Sequence, residues 1–217
     1  MPVYSFSSLS SSSFLLIWKI EESLDRLYAQ LHPLFLADFN NRSSGSSKKR
    51  IQQTLAVRWA LCSLLEKLDL PIVTLSKDIA GKPILENSRL HCSFTHTPYF
   101  ATVALSTAFP IGVDMEMVRP KLNIVQEKIL TEEESKNANN CLEKLAIYWC
   151  AKEALYKIVG SKAWPAKHIF IEPFPLQTEG KIIANLHQKK YAMDYKKIGD
   201  DVGVLPHFLV FCEDHYL

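Results

Sequence analysis

No CxxC pair occurs in this sequence of 217 residues, and its five cysteines (Cys62, Cys92, Cys141, Cys150 and Cys212) are scattered and odd in number. That disfavours a disulfide framework and a thiolate zinc site. Free thiols suit a reducing cytoplasm. No apolar run approaches the ~20 residues of a membrane span. The start of the chain has no basic segment, and the apolar run Phe14-Leu15-Leu16-Ile17-Trp18 is shorter than the roughly 7–15 residues of a signal-peptide core. A first β-strand behind a ragged, serine-rich start is the better reading. Excess charge is lacking too: 25 basic and 23 acidic residues leave +2. General nucleic-acid binding has no support there, although a local basic patch could hold a phosphate. Walker A and GxGxxG are both absent, which removes the common phosphate-binding loops. What is present is an ordinary globular composition, 47% hydrophobic and 22% charged, which rules out disorder as the main theme. The length allows one domain or two small ones.

Periodicity orders the chain as follows. A strand is expected over Leu15–Ile20 and a short helix over Ser23–Leu31, ended by Pro33. The polar loop Asn40–Ser47 delivers Lys48-Lys49-Arg50 to a long helix over about 49–68. Ile72–Leu75 reads as a short strand, and Gly81-Lys82-Pro83 as a turn. Leu90–Phe94 and Phe100–Leu105 read as a hairpin around Thr95-His96-Thr97-Pro98. A strand follows over Ile111–Val118. Thr131-Glu132-Glu133-Glu134 has the form of a capping box, which starts a helix at about 132. A second long helix is expected over 142–159, stopped by Gly160. Ile169–Ile171, Ile182–Leu186, Tyr191–Tyr195 and Phe208–Cys212 read as strands. Leu55-Ala56-Val57-Arg58-Trp59 echoes Leu145-Ala146-Ile147-Tyr148-Trp149 at an offset of 90 residues. If that echo is structural, the chain is two similar α+β halves joined near Thr107–Pro110.

Four groups of residues could carry chemistry. In Ile111-Gly112-Val113-Asp114-Met115-Glu116-Met117, alternation puts Asp114 and Glu116 on one face, with Cα atoms about 7 Å apart. Two such charges repel by roughly 2 kcal/mol at an effective dielectric of ~20. A wet face tolerates that, whereas a closed one asks for a cation or a raised pKa. Carboxylate oxygens suit Mg²⁺. In the second long helix, Trp149, Glu153 and Lys157 form an i, i+4, i+8 stripe away from the core face of Ile147, Ala151, Ala154 or Leu155, and Ile158. His96 sits between two hydroxyls at a hairpin turn and could hold a phosphate. Lys48-Lys49-Arg50 could clamp one at a helix start. Each piece has a plain alternative: a solvated strand face, an exposed Glu–Lys pair, a turn histidine, a solvated charge run. Together they supply what binding a polyphosphate with a divalent metal requires.

Gly81-Lys82-Pro83, Phe94-Thr95-His96-Thr97, Gly112-Val113-Asp114-Met115-Glu116 and Trp149-Cys150-Ala151-Lys152-Glu153-Ala154-Leu155-Tyr156-Lys157, in that order, resemble the 4′-phosphopantetheinyl transferase superfamily. The likeness spans roughly residues 48–160, and it is to the larger, two-halved, monomeric surfactin-synthetase-activator type. The resemblance implies an α+β fold of two pseudo-symmetric halves, each a small, mostly antiparallel sheet packed on a long helix. Residues 1–108 would contact the coenzyme A nucleotide, residues 109–217 would carry the metal site and catalytic helix, and the site would lie between the halves. The implied reaction moves the phosphopantetheine arm of coenzyme A to a serine of an apo acyl or peptidyl carrier protein, in fatty-acid, polyketide or nonribosomal peptide synthesis, and releases adenosine 3′,5′-bisphosphate.

By the same resemblance, Asp114, Glu116 and Glu153 would hold Mg²⁺. Glu153 would be the general base and Lys157 would reach the phosphates, with Asp114 also part of the catalytic set. Arg50, Lys82, Pro83, Thr95, His96, Lys152 and Lys157 would bind the coenzyme. The chain has Thr95-His96-Thr97 where the family often has Ser-His-Ser, which keeps the hydroxyls. It has Ile129-Leu130 where an aromatic residue is common, in a region that helps dock the carrier protein in relatives. Two other readings stay open: a metal-dependent phosphohydrolase acting on coenzyme-A-like pyrophosphates, and a non-catalytic carrier-protein binding module.

Overall fold

The computed structural model describes residues 3–40, 47–79, 81–160, 166–199 and 204–214. The fold is α+β, and the chain divides into two compact units, Met1–Ala108 and Phe109–Leu217. Among the described residues no helix is long and apolar enough to cross a membrane.

The first unit contains β1 (Val3–Ser8), β2 (Ser13–Lys19), α1 (Leu24–Gln30), α2 (Pro33–Asn40), α3 (Lys48–Lys67), β3 (Leu75–Lys77), β4 (Pro83–Leu85), β5 (His91–His96) and β6 (Phe100–Ser106). Its main sheet has the order β1-β2-β6-β5, antiparallel throughout. Helix α3 lies on β2 and β6. Leu55, Leu61 and Leu65 meet Leu16, Trp18 and Val103 in a core that excludes water almost completely. Ser47 caps α3 by accepting from the Arg50 amide.

Three expectations need correcting here. The serine-rich start is itself a strand: Val3, Ser5 and Ser7 are half-buried, while Tyr4, Phe6 and Ser8 are exposed. Serine at inward positions disguised that alternation. The strand expected at Ile72–Leu75 starts only at Leu75, where pairing with β4 begins. The turn it makes with β4 has Gly81 at φ +85° and the Asp78 carboxylate accepting from the Lys82 amide. Helix α2 was not expected, because Pro33 reads as a stop for α1; it is also the first residue of α2, a position that needs no amide donor. The loop read over Asn40–Ser47 falls mostly outside the described residues.

The second unit contains β7 (Ile111–Met117), α4 (Lys121–Ile129), α5 (Glu132–Ala138), α6 (Leu142–Val159), β8 (Phe170–Ile171), β9 (Glu179–Leu186), β10 (Lys189–Ile198) and β11 (His207–Glu213). Its sheet has the order β7-β11-β10-β9-β8, again antiparallel, with α6 on β7 and β11. The capping box is complete: the Thr131 hydroxyl accepts from the Glu134 amide, and the Glu134 carboxylate accepts from the Thr131 amide. Asn139 and Asn140 take positive φ and separate α5 from α6. Gly160 closes α6 in the left-handed region. Helix α4 escaped the sequence reading because it has no side-chain cap and leaves Ile124 largely exposed.

The two units share an arrangement. In each, an early strand is followed by three helices and a closing pair of strands. The last strand lies between that early strand and the strand that precedes it in sequence: β2-β6-β5 in one unit, β7-β11-β10 in the other. The echo between the long helices extends to packing, because residues 51–65 and 141–155 show the same succession of buried and half-buried positions.

Candidate active site

The site in the second unit depends on a close approach of α6 to β7. A β-carbon placed on Gly112 would lie 2.0 Å from the Ala154 carbonyl oxygen. Only glycine lets the helix backbone come this near. Gly112→Ala should therefore push α6 away and destabilise the fold by about 3 kcal/mol, at the upper end of overpacking costs. Urea unfolding would measure it, and a variant as stable as the parent would rule out this close contact.

Gly112 shows that the even-numbered face of β7, with Asp114 and Glu116, is turned toward α6. That face is not the solvated one of the plain alternative: Asp114 is only 8% exposed. From α6, Lys157 donates 2.8 Å bonds both to Asp114 Oδ1 and to the Val113 carbonyl. Glu153, one turn earlier, is half-buried. Burial raises its pKa above 4.5, the Asp114 charge adds to this, and Lys157 works against it. Glu116 is also raised, chiefly by burial, with Arg119 opposing. Its Oε1 is 3.1 Å from Arg119 Nη2 and accepts from the Met117 amide at 3.0 Å. Cys150 lies fully buried behind the carboxylates, where desolvation and then the charges of Asp114 and Glu116 push its thiol well up. It is a protonated packing group, hydrogen-bonded to the Phe208 carbonyl, with none of the character of a nucleophile.

Asp114, Glu116, Glu153 and Lys157 are thus gathered on two adjoining elements. Three carboxylates offer the hard oxygen ligands that Mg²⁺ takes. The raised Glu116 and Glu153, each further raised by Asp114, are groups that a divalent cation would relieve. As they stand, Asp114 is paired with Lys157 and Glu116 with Arg119. Among the described residues no three His, Cys, Asp or Glu side chains are grouped so as to hold a metal ion.

Lys152 belongs elsewhere, and the expectation that it binds coenzyme is corrected. It is 1% exposed. Its ammonium lies 2.8 Å from Glu134 Oε1 and 2.9 Å from Oε2, and it donates to the carbonyls of Ala166 and Ile169. Glu134 in turn accepts from the Ile171 amide. The ammonium faces inward with its hydrogens committed, so it has none to offer a ligand. No sequence spacing joins residues 134 and 152, and the sequence reading missed this pair, as it missed Arg119.

In the first unit, Lys48, Lys49 and Arg50 are exposed on the first turn of α3, and His96 is exposed at the end of β5. Gln53, less than one turn beyond Arg50, donates to the Thr97 carbonyl, so the start of α3 adjoins the turn that follows His96. Thr95 is buried. Thr97 accepts from the amides of Tyr99 and Phe100, which makes it a turn-forming residue. Lys82 lies near His91, whose pKa is lowered by burial and then by that lysine. Pro83 accepts weakly from the Cys92 thiol. Lys82 and Pro83 therefore stand at the opposite end of β5 from His96, about 17 Å along the strand.

No curated protein matches the chain. Asp114, Glu116, Glu153 and Lys157 lie within residues 110–202, whereas Arg50, Lys82, Pro83, Thr95 and His96 precede them. Residues 110–202, from the entry into β7 to beyond β10, match the model of the 4′-phosphopantetheinyl transferase superfamily.

Proposed function

We propose that this protein transfers the 4′-phosphopantetheine arm of coenzyme A to a serine of an apo acyl or peptidyl carrier protein, as a monomeric enzyme of the two-halved surfactin-synthetase-activator type. The observation that carries this reading is the grouping of Asp114, Glu116, Glu153 and Lys157 by β7 and α6, within the stretch that matches the superfamily.

In this reading the serine Oγ forms a bond to the phosphorus next to the pantetheine arm. The P–O bond to the other phosphate breaks, and adenosine 3′,5′-bisphosphate leaves with the electron pair. Glu153 takes the serine proton, and its raised proton affinity suits a base working near neutral pH. Lys157 is anchored through the Val113 carbonyl and Asp114, and presents fixed positive charge toward the phosphates. Asp114, Glu116 and Glu153 would hold Mg²⁺, which supplies charge neutralisation on the pyrophosphate. Arg50, Lys82, Pro83 and Thr95 are proposed as contacts to the nucleotide end, and His96 as a contact to the pyrophosphate region.

Incubation with coenzyme A, Mg²⁺ and a panel of apo carrier proteins, read by intact mass, tests the reading. The expected result is a carrier protein heavier by one phosphopantetheine arm, dependent on the metal. Release of phosphopantetheine or phosphate in the absence of any acceptor would instead indicate a hydrolase. Carrier binding without mass change would indicate a binding module.

A further inference from the structure

Arg119 is held at the exit of β7 by backbone bonds on both sides. Its neighbour Val118 donates to the Pro206 carbonyl, and its own carbonyl accepts from the Leu122 amide at the start of α4. The guanidinium lies beside Glu116, with Nη2 3.1 Å from Oε1. Among the described residues, its Nε is buried with no hydrogen-bond partner. The adjacent His207 is fully buried and adds no charge near neutral pH. Glu116 Oε1 is therefore doubly engaged, by Arg119 and by the Met117 amide. A divalent cation held by Glu116 would share this carboxylate with Arg119. Lys157 stands in the same relation to Asp114, but Lys157 already has a proposed task at the phosphates, whereas Arg119 has none.

We infer that Arg119 is a resident counter-ion that competes with a divalent cation for Glu116, and so sets the metal affinity of the Asp114–Glu116–Glu153 group. The inference rests on the transferase reading for the identity of the metal. Arg119 is thus a positioning residue: it keeps the unloaded carboxylates compensated, and a cation binds by taking Glu116 from it.

The test is Mn²⁺ binding to the full chain, followed by electron paramagnetic resonance of the free ion. Arg119→Gln should bind Mn²⁺ about fivefold more tightly than the parent, the size expected for loss of a partly exposed competing ion pair. Arg119→Lys, which keeps the charge, should remain near the parent. Lys121→Gln, an exposed neutral substitution nearby, should change affinity much less than Arg119→Gln. Unchanged or weaker binding by Arg119→Gln, equal tightening by all three variants, or no Mn²⁺ binding at all would overturn the inference. In the unmodified protein, Mg²⁺ titration should also move the Arg119 Nε–H resonance, and a resonance that stays still while Mg²⁺ binds would overturn it independently of any variant. Failure of the carrier-protein assay with Mn²⁺ affinities as expected would sink the transferase reading and leave the counter-ion role standing.

Discussion

Replacing Lys152 with methionine is expected to cost about 3–5 kcal/mol of folding stability, the usual penalty for removing one partner of a buried ion pair. The large size follows from what is left behind. Glu134 is completely buried and, among the described residues, keeps only the amides of Thr131 and Ile171 as donors. The carbonyls of Ala166 and Ile169 lose their shared donor as well. Removing both charges, as Lys152→Met with Glu134→Leu, should recover much of the loss, because an apolar pair avoids the stranded carboxylate. It should not recover all, since the capping box and the Ile171 amide still lose Glu134. Urea unfolding of the three proteins is the measurement. A single variant as stable as the parent would mean the pair contributes nothing. Because Lys152 faces inward, Lys152→Met should leave the KM for coenzyme A within about twofold in any folded, active fraction, whereas a direct coenzyme contact of 1.5–3 kcal/mol would raise it by more than about tenfold.

Glu153→Gln should lower carrier-protein modification by at least about a hundredfold, the smallest loss expected for a positioned general base. The amide has nearly the same shape as the carboxylate but cannot accept the serine proton, so the fold should survive. Stability should move in the opposite direction from activity. The folded-state pKa of Glu153 is raised above 4.5, first by burial and then by Asp114. The folded protein therefore favours the protonated form. Its stability contribution is complete below about pH 4 and is lost as pH rises through the raised pKa. Glutamine removes that loss, so the variant should be more stable than the parent at pH 7 and closely matched to it below pH 4. Intact-mass assays and urea midpoints at the two pH values check both halves. Full transfer by the variant would remove Glu153 from the mechanism, and a variant less stable at pH 7 would contradict the strained-carboxylate account.

Much of this architecture was legible in the chain. Leu142–Val159 carries a helical apolar pattern and ends in glycine, and it folds over those bounds. The Thr131–Glu134 spacing names its own capping box because both partners lie within one turn. The hairpin at Thr95–Pro98 and the strand at Ile111 follow from alternation and turn chemistry. In the site, alternation alone places Asp114 beside Glu116, and helical period alone places Glu153 beside Lys157. Weak or disguised local signals account for what was missed: serines at inward positions in β1, an uncapped α4, and a proline that both stops one helix and starts the next.

What the sequence by itself determined are the features set by contacts a few residues apart: periodicity, caps, turns, and which side chains share a face. Tertiary structure decided which face is which and who meets whom. It turned Asp114 and Glu116 toward α6 instead of water, because Gly112 lets the helix backbone approach. It joined Lys157 to Asp114 across 43 residues and Lys152 to Glu134 across 18. It also took Lys152 out of the set of coenzyme cations. The physical reason is that burial and ion pairing at long sequence separation depend on the packing of whole elements, which no local spacing encodes.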